Sequence, residues 1–242
     1  MSEYTGVAEG PVIGLLDHGS FQLIERWGSD MAVVEAARLS TQKGFLGWGN
    51  DETPGDEKLL RTLHSNGHST PFEFGGMTLE ISAPIMVFRE WHRHRTQSYA
   101  EHSARYGPLP DLNYIPSVER CLAMNEANKQ AGSMKGSEKL TEESCKAWQR
   151  ALKEYYSLGD DLYHWGLELG LPKELARLVN TVGRYSKMRA TANLRNWIGF
   201  VILRDDPGAQ WEIRQYAKLV VQALEQSFPR TMDIVAEIRG RR

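Results

Sequence analysis

Apolar positions along the chain recur with two periods, one of about two residues and one of three to four. Val12 to Leu16 is a short apolar run closed by Asp17-His18-Gly19 and reads as a strand and turn. After Ser29-Asp30, a pair suited to capping a helix, Met31, Val33, Val34, Ala36, Ala37 and Leu39 follow at helical spacing. Thr41 to Pro54, with three glycines and a proline, reads as a mobile loop whose Phe45 and Trp48 cover something. Asp56 to His64 returns to helix, with Leu59, Leu60 and Leu63 on one face. Phe72 to Glu80 alternates weakly and Ile81 to Phe88 is apolar, so two strands are predicted, with Pro84 at an edge or bulge. Arg89 to Tyr106 is charged and is expected to enter a helix near Trp91.

The second half is mostly helical. Met124 to Ser144 is polar, lacks periodicity and reads as an inserted loop. Cys145 to Leu169 is a long helix with Trp148, Leu152, Tyr155, Tyr156, Leu162 and Trp165 as its apolar side. Pro172 opens another helix at its first turn. Arg184 to Ala190 reads as basic and irregular, Asn193 to Leu203 as helix, and Ala209 to Phe228 as the last clear helix. The expected fold is α+β, a central and mostly antiparallel sheet flanked by long helices, in one domain spanning residues 1–242 with residues 124–144 as a polar insertion.

Composition narrows the function classes. Hydrophobic residues are 41% and charged residues 25% of the 242, as in a folded globular chain. The net charge is -2, so no global field draws nucleic acid and any anion site must be local. Two cysteines, Cys121 and Cys145, are too few for a disulfide framework and suit a reducing cytoplasm. Met1 to Pro11 lacks the features of a secretory leader, and no run of about 18 apolar residues is present, so no membrane span is expected.

The stretch Arg93-His94-Arg95-Thr96-Gln97-Ser98-Tyr99-Ala100-Glu101-His102-Ser103-Ala104-Arg105-Tyr106 concentrates three arginines, two histidines, two serines and one carboxylate directly after an apolar run. Arginine forks pair with phosphate or carboxylate through two parallel hydrogen bonds, so several together suit a polyanionic ligand. No Gly-rich phosphate loop is present. His92 and His94 alternate with arginines, whose charge repels a metal cation, and His64 with His68 reads as a polar turn, so no metal site is expected. A serine nucleophile at Ser98 or Ser103 would need a base and an oxyanion hole that no sequence pattern places.

The same stretch resembles the signature of the flavin-dependent thymidylate synthases: R-H-R, two residues, S, one residue, usually N, two residues, S, one residue, R. Arg93, His94, Arg95, Ser98, Ser103 and Arg105 match it, and Ala100 stands where asparagine is usual. The similarity continues in Gly28-Ser29-Asp30 with Ala36-Ala37-Arg38-Leu39-Ser40, in His68 with Thr70-Pro71-Phe72-Glu73, and in Ala176-Arg177, Asn193-Leu194-Arg195, Leu203-Arg204 and Ala209-Gln210-Trp211-Glu212-Ile213.

That resemblance implies FAD as cofactor, methylenetetrahydrofolate as carbon donor, NADPH as reductant, and methylation of a uridylate, dUMP or UMP, at carbon 5. It implies that Thr70, Arg93, His94, Arg95, Glu101, Asn193 and Arg195 hold the flavin. Glu90, Arg93, Ser103, Arg105, Arg177 and Arg204 match nucleotide positions, with Arg204 at the uracil and Ser103 a positioner. It also implies a homotetramer with active sites at subunit interfaces. Ala100, Gly199 and Gly208 fall where larger polar residues are usual, an enlargement that would admit a 2′-hydroxyl, as in members recruited to make modified nucleosides, or a differently seated flavin. The competing reading is a non-catalytic nucleotide-sensing or RNA-binding module, in which Trp91, Tyr99 and Tyr106 stack on bases.

Overall fold

The computed structural model describes residues 9–50, 52, 55–123 and 139–240. Five strands form one sheet: β1 (Ile13–Leu15), β2 (Gly19–Trp27), β3 (Gly76–Pro84), β4 (Ser98–Glu101) and β5 (Tyr185–Asn193), in the order β1-β2-β3-β5-β4 with every neighbouring pair antiparallel. The α+β expectation holds.

Alternation gives this sheet two unlike faces. Met77, Leu79, Ile81 and Ala83 pair with Ala192, Ala190, Met188 and Ser186, and all are buried. On the opposite face Glu80 holds Lys187 at 3.1 Å and Arg189 at 2.9 Å, and Thr78 donates to Thr191. Helices α1 (Asp30–Arg38), α2 (Asp56–Ser65), α3 (Ile85–Trp91), α7 (Leu194–Arg204), α8 (Trp211–Ser227) and α9 (Pro229–Gly240) cover the apolar face, and their buried residues join the strands in one core. Phe45 and Trp48 pack against that core, as expected of the 41–54 loop. Short α4 (Val118–Leu122) and α6 (Lys173–Ala176) flank long α5 (Glu142–Glu168). No described helix is long and apolar enough to cross a membrane.

Four local expectations need correction. The apolar run Ile81 to Phe88 is not a strand throughout: β3 ends at Pro84, which has no N–H to continue the ladder, and α3 begins at Ile85. The first two N–H groups of α3 donate to Arg184 and Val182 carbonyls at 2.9 and 2.8 Å, which joins the helix to the residues entering β5. No helix starts near Trp91, where α3 instead ends. Residues 185–190 are not irregular but belong to β5, whose Lys187 and Arg189 lie on the polar face, while Arg184 just before it is buried and pairs with Asp111 and Asp160. β2, absent from the sequence reading, pairs with β3 from Ser20 to Trp27 except at a bulge between Leu23 and Glu25. The 124–144 insertion lies mainly outside the described residues, and its last three residues form the first turn of α5.

Helix α5 departs from expectation in a different way. Trp148, Tyr155, Leu158, Leu162, Trp165 and Leu169 recur every three, four or seven residues, yet they stay exposed, with Trp148 at 52% and Trp165 at 58%.

Candidate active site

The R-H-R segment is a tight turn between α3 and β4, held by buried neighbours. Backbone bonds run from His94 N to Trp91 O at 3.0 Å and from Gln97 N to His94 O at 3.3 Å. Trp91, fully buried, donates its indole N–H to Gln97 Oε1 at 3.0 Å. The Tyr99 hydroxyl donates to the His94 carbonyl at 2.7 Å, and burial pushes that phenol up to about 12. Asn196 on α7 ties in Thr96 O at 3.2 Å. These ties fix a turn whose outer residues, Arg93 and Arg95, are exposed and have no ion-pair partner among the described residues.

Behind the turn, Arg204 ends α7, where the helix C-terminus favours a cation. Its Nη1 meets Glu90 Oε2 at 2.5 Å, its Nη2 donates to the Glu90 carbonyl at 2.9 Å, and its Nε donates to His94 Nε2 at 2.9 Å. His94 therefore carries its proton on Nδ1. Burial, and then the adjacent guanidinium, lower its pKa to about 4, so it is neutral at pH 7. Because the native pKa lies below the ordinary 6.5, the stability this group contributes is complete above about pH 6.5 and is lost as pH falls toward 4. The stability difference between wild type and His94→Gln is expected to narrow over that window, read as thermal midpoints from pH 7 to 4.5. A gap independent of pH would contradict it.

The other expected residues fall into two further groups. Glu101, Ser103 and Arg177 line a cavity of about 510 Å³ with His102, Ala104 and Asn180. Arg195 lines one of about 190 Å³ with His64, His68, Ser69 and Phe72, and pairs with Glu73 at 2.6 Å. Thr70 opens the 3-10 turn Thr70–Glu73 beside this second cavity. Asn193 uses its Oδ1 to cap α7, accepting from Asn196 N at 3.1 Å. Arg105 pairs with Glu174 at 3.1 Å on the open surface. Thus Glu90, His94 and Arg204 form one network, Glu101, Ser103 and Arg177 share one cavity and Arg195 lines another, while Arg93, Arg95, Arg105 and Asn193 line neither cavity. A larger, apolar cavity of about 570 Å³ between α4, α5 and the start of α8 is lined by none of the expected residues.

Of the three small residues, Gly199 faces open space, with nothing within 4 Å of where a Cβ would lie. Ala100 sits on β4 opposite Arg189, on the polar face of the sheet. Gly208 donates its N–H to Asp206 at 2.7 Å. Sequence reasoning missed Glu73 as the partner of Arg195, although its segment had been matched.

Residues 22–230 match the family model described as "Thymidylate synthase complementing protein". The flavin-dependent thymidylate synthase of Thermosipho africanus is 35% identical over 220 residues, 90% of this chain and 91% of that protein. The chain belongs to the flavin-dependent thymidylate synthase family. The flavin-dependent thymidylate synthase of Thermus thermophilus is 36% identical over 222 residues, 91% of this chain and 77% of its own. Two crystal structures of the UMP/dUMP methylase PolB from Streptomyces cacaoi superpose with TM-scores of 0.77. One, with 5-Br UMP, is 29% identical and covers 92% of this chain and 95% of its own; the other, with 5-Br dUMP, is 30% identical and covers 93% and 97%. As a flavin-dependent thymidylate synthase family member, the protein is a methyltransferase, and the family's chemistry uses FAD with NADPH and methylenetetrahydrofolate as co-substrates.

Proposed function

We propose that the protein methylates UMP and dUMP at carbon 5, with sites completed between the subunits of a homotetramer. The observation that carries this reading is the pinned R-H-R turn, with Arg93 and Arg95 free beside the Glu90–Arg204–His94 network, in a chain of this family.

The donor set fits FAD. The two exposed arginines of the turn, and Arg195 with His68 at the 190 Å³ cavity, suit a pyrophosphate. The cavity at Arg195, about 190 Å³, is far too small for a whole dinucleotide, which agrees with a flavin shared by neighbouring subunits. Arg93, His94, Arg95, Thr70, Glu101, Asn193 and Arg195 would hold it; Asn193 keeps its Nδ2 donors for that purpose, since only its Oδ1 serves the helix cap. When bound, FAD supplies the redox and one-carbon chemistry that no side chain provides. Glu90, Arg93, Ser103, Arg105, Arg177 and Arg204 would hold the nucleotide, with Arg177 and Ser103 at the phosphate. Arg204 would stabilise negative charge as it grows on the uracil. The ion pairs Arg105–Glu174 and Arg195–Glu73 are solvent-exposed, so exchanging either for a ligand anion costs little.

Assembly is supported by the apolar stripe of α5, which finds no cover among the described residues. Its spacing suits packing against a second helix. Replacing Trp165 with glutamate is expected to dissociate the protein, read by light scattering, and to lower FAD occupancy with it; an unchanged mass would remove α5 from the interface. The whole chain is taken as one domain, and the free thiols of Cys121 and Cys145 support a cytoplasmic location.

The function itself is tested by tritium release from carbon 5 of labelled UMP and dUMP, with FAD, NADPH and methylenetetrahydrofolate present. The expected outcome is release from both nucleotides by a yellow protein absorbing near roughly 450 nm. No release from either would reject the reading.

A further inference from the structure

We propose that Arg184, which does not itself line the 510 Å³ cavity, is a positioning residue for the nucleotide: it holds the Leu109 wall of that cavity in place. This rests on the reading that the cavity takes the nucleotide.

The Arg184 side chain is buried. Its Nη2 donates to the Leu109 carbonyl at 3.2 Å and pairs with Asp111, while its Nη1 pairs with Asp160 on α5. The guanidinium also lies 5.9 Å from the ring centroid of Tyr163, again on α5. Leu109 is a buried lining residue of the cavity, and Pro108 and Pro110 on either side of it have no N–H to donate. Among the described residues, every hydrogen bond from residues 107–111 to the chain outside residues 103–112 goes to Arg184 or to His164, which meets the Asp111 carboxylate at 3.0 Å. The backbone of Arg184 serves a second wall: its carbonyl accepts from Ile85 N at 2.9 Å, and Ile85 lines the same cavity.

A buried ion pair is seldom required for stability alone, since apolar side chains of similar size commonly serve a fold as well. An apolar residue cannot do what the rigid fork does here, which is to grip a carbonyl and a carboxylate of one loop together with a carboxylate of α5. Without that grip the Leu109 segment keeps only the Asp111–His164 pair, which is exposed and worth little. Arg184 therefore fixes where Leu109 stands relative to Ser103 and Arg177 across the cavity. Its side chain bonds neither Arg204 nor the R-H-R turn, to which the uracil and the flavin are assigned. Its effect accordingly falls on nucleotide binding and not on the chemical step.

The test compares wild type, Arg184→Met and Arg184→Lys, all loaded with FAD, by KM and kcat for UMP and dUMP, by calorimetric binding of each nucleotide, and by hydrogen exchange of peptides. Arg184→Met is expected to raise KM and Kd for both nucleotides about 10- to 100-fold and to change kcat about threefold or less. Arg184→Lys, which reaches one acceptor at a time, should recover only a small part. Exchange should quicken across residues 107–114 and stay as in wild type in α8. Asp111→Asn, a change at a half-exposed side chain, should give the same pattern more weakly, and it carries the test if Arg184→Met does not fold. Faster exchange in α8 as much as in 107–114, or a fall in kcat with KM unchanged, would overturn the proposal in favour of a purely structural role. Arg177→Ala run alongside separates the two levels. If it weakens both nucleotides while the Arg184 variants bind them as wild type does, the role of Arg184 fails and the cavity stands; if no variant affects nucleotide binding, the cavity is not the nucleotide site and the proposal falls with it.

Discussion

Replacing Arg204 with alanine is expected to lower kcat/KM for uridylate by roughly a hundred- to a thousandfold, the usual loss when one preorganised donor to developing charge is removed. The expectation follows from how the guanidinium is held. Of its five N–H donors, three are fixed by Glu90 Oε2, the Glu90 carbonyl and His94 Nε2 at 2.5–2.9 Å. The side chain is only 16% exposed, so the guanidinium is partly desolvated and held in one orientation before any ligand arrives. Arg204→Lys keeps the charge but has no planar fork with which to meet Glu90 twice and His94 once, so it is expected to recover only a small part of the loss. Because Arg204 also bonds His94, one of the residues proposed to hold the flavin, kcat/KM is compared at equal flavin occupancy. A lysine variant as active as wild type would reduce the role of Arg204 to charge alone.

The same network shows what a sequence can and cannot reveal. Arg93, His94, Arg95, Ser98, Ser103 and Arg105 announce themselves by spacing, since all lie within one short segment. The bond from Arg204 to Glu90 spans 114 positions, and it exists only because α7 packs over the end of α3. Among the strands, β5 was hidden because Lys187 and Arg189 dominate its composition, although Met188 and Ala190 alternate with them in the half-buried pattern. β2 carries a similar alternation at Phe21 and Leu23 that is cut short by its bulge. The run from Ile81 to Phe88 changes from strand to helix without a change in polarity, and Pro84 was its only marker. For α5 the apolar stripe was legible, but its cover was not. An apolar face has the same sequence whether it meets its own chain or a second copy.

Replacing Trp91 with alanine is expected to destabilise the fold by about 3–5 kcal/mol, the usual cost of deleting a buried aromatic side chain. For a chain of this length that corresponds to a thermal midpoint lower by roughly 10 °C, compared at fixed protein concentration because assembly contributes. Trp91 lies against Phe200 with ring centroids 4.5 Å apart and edge-on to Trp197 and Tyr216 at 6.4 and 6.3 Å, so its removal opens a space shared by α3, α7 and α8. It also takes the only described hydrogen-bond donor besides the Tyr99 hydroxyl from Gln97 Oε1, an atom of a side chain whose Nε2 is already buried without a partner. The loss should therefore reach the R-H-R turn that Gln97 closes, and FAD should bind more weakly even below the new midpoint. Arg95→Ala provides the contrast: its side chain is exposed, so FAD binding should weaken with little change in midpoint. If Trp91→Ala lowers the midpoint yet binds FAD as wild type does, the turn keeps its shape without the tryptophan, and the ties from Tyr99 and Asn196 suffice to hold it.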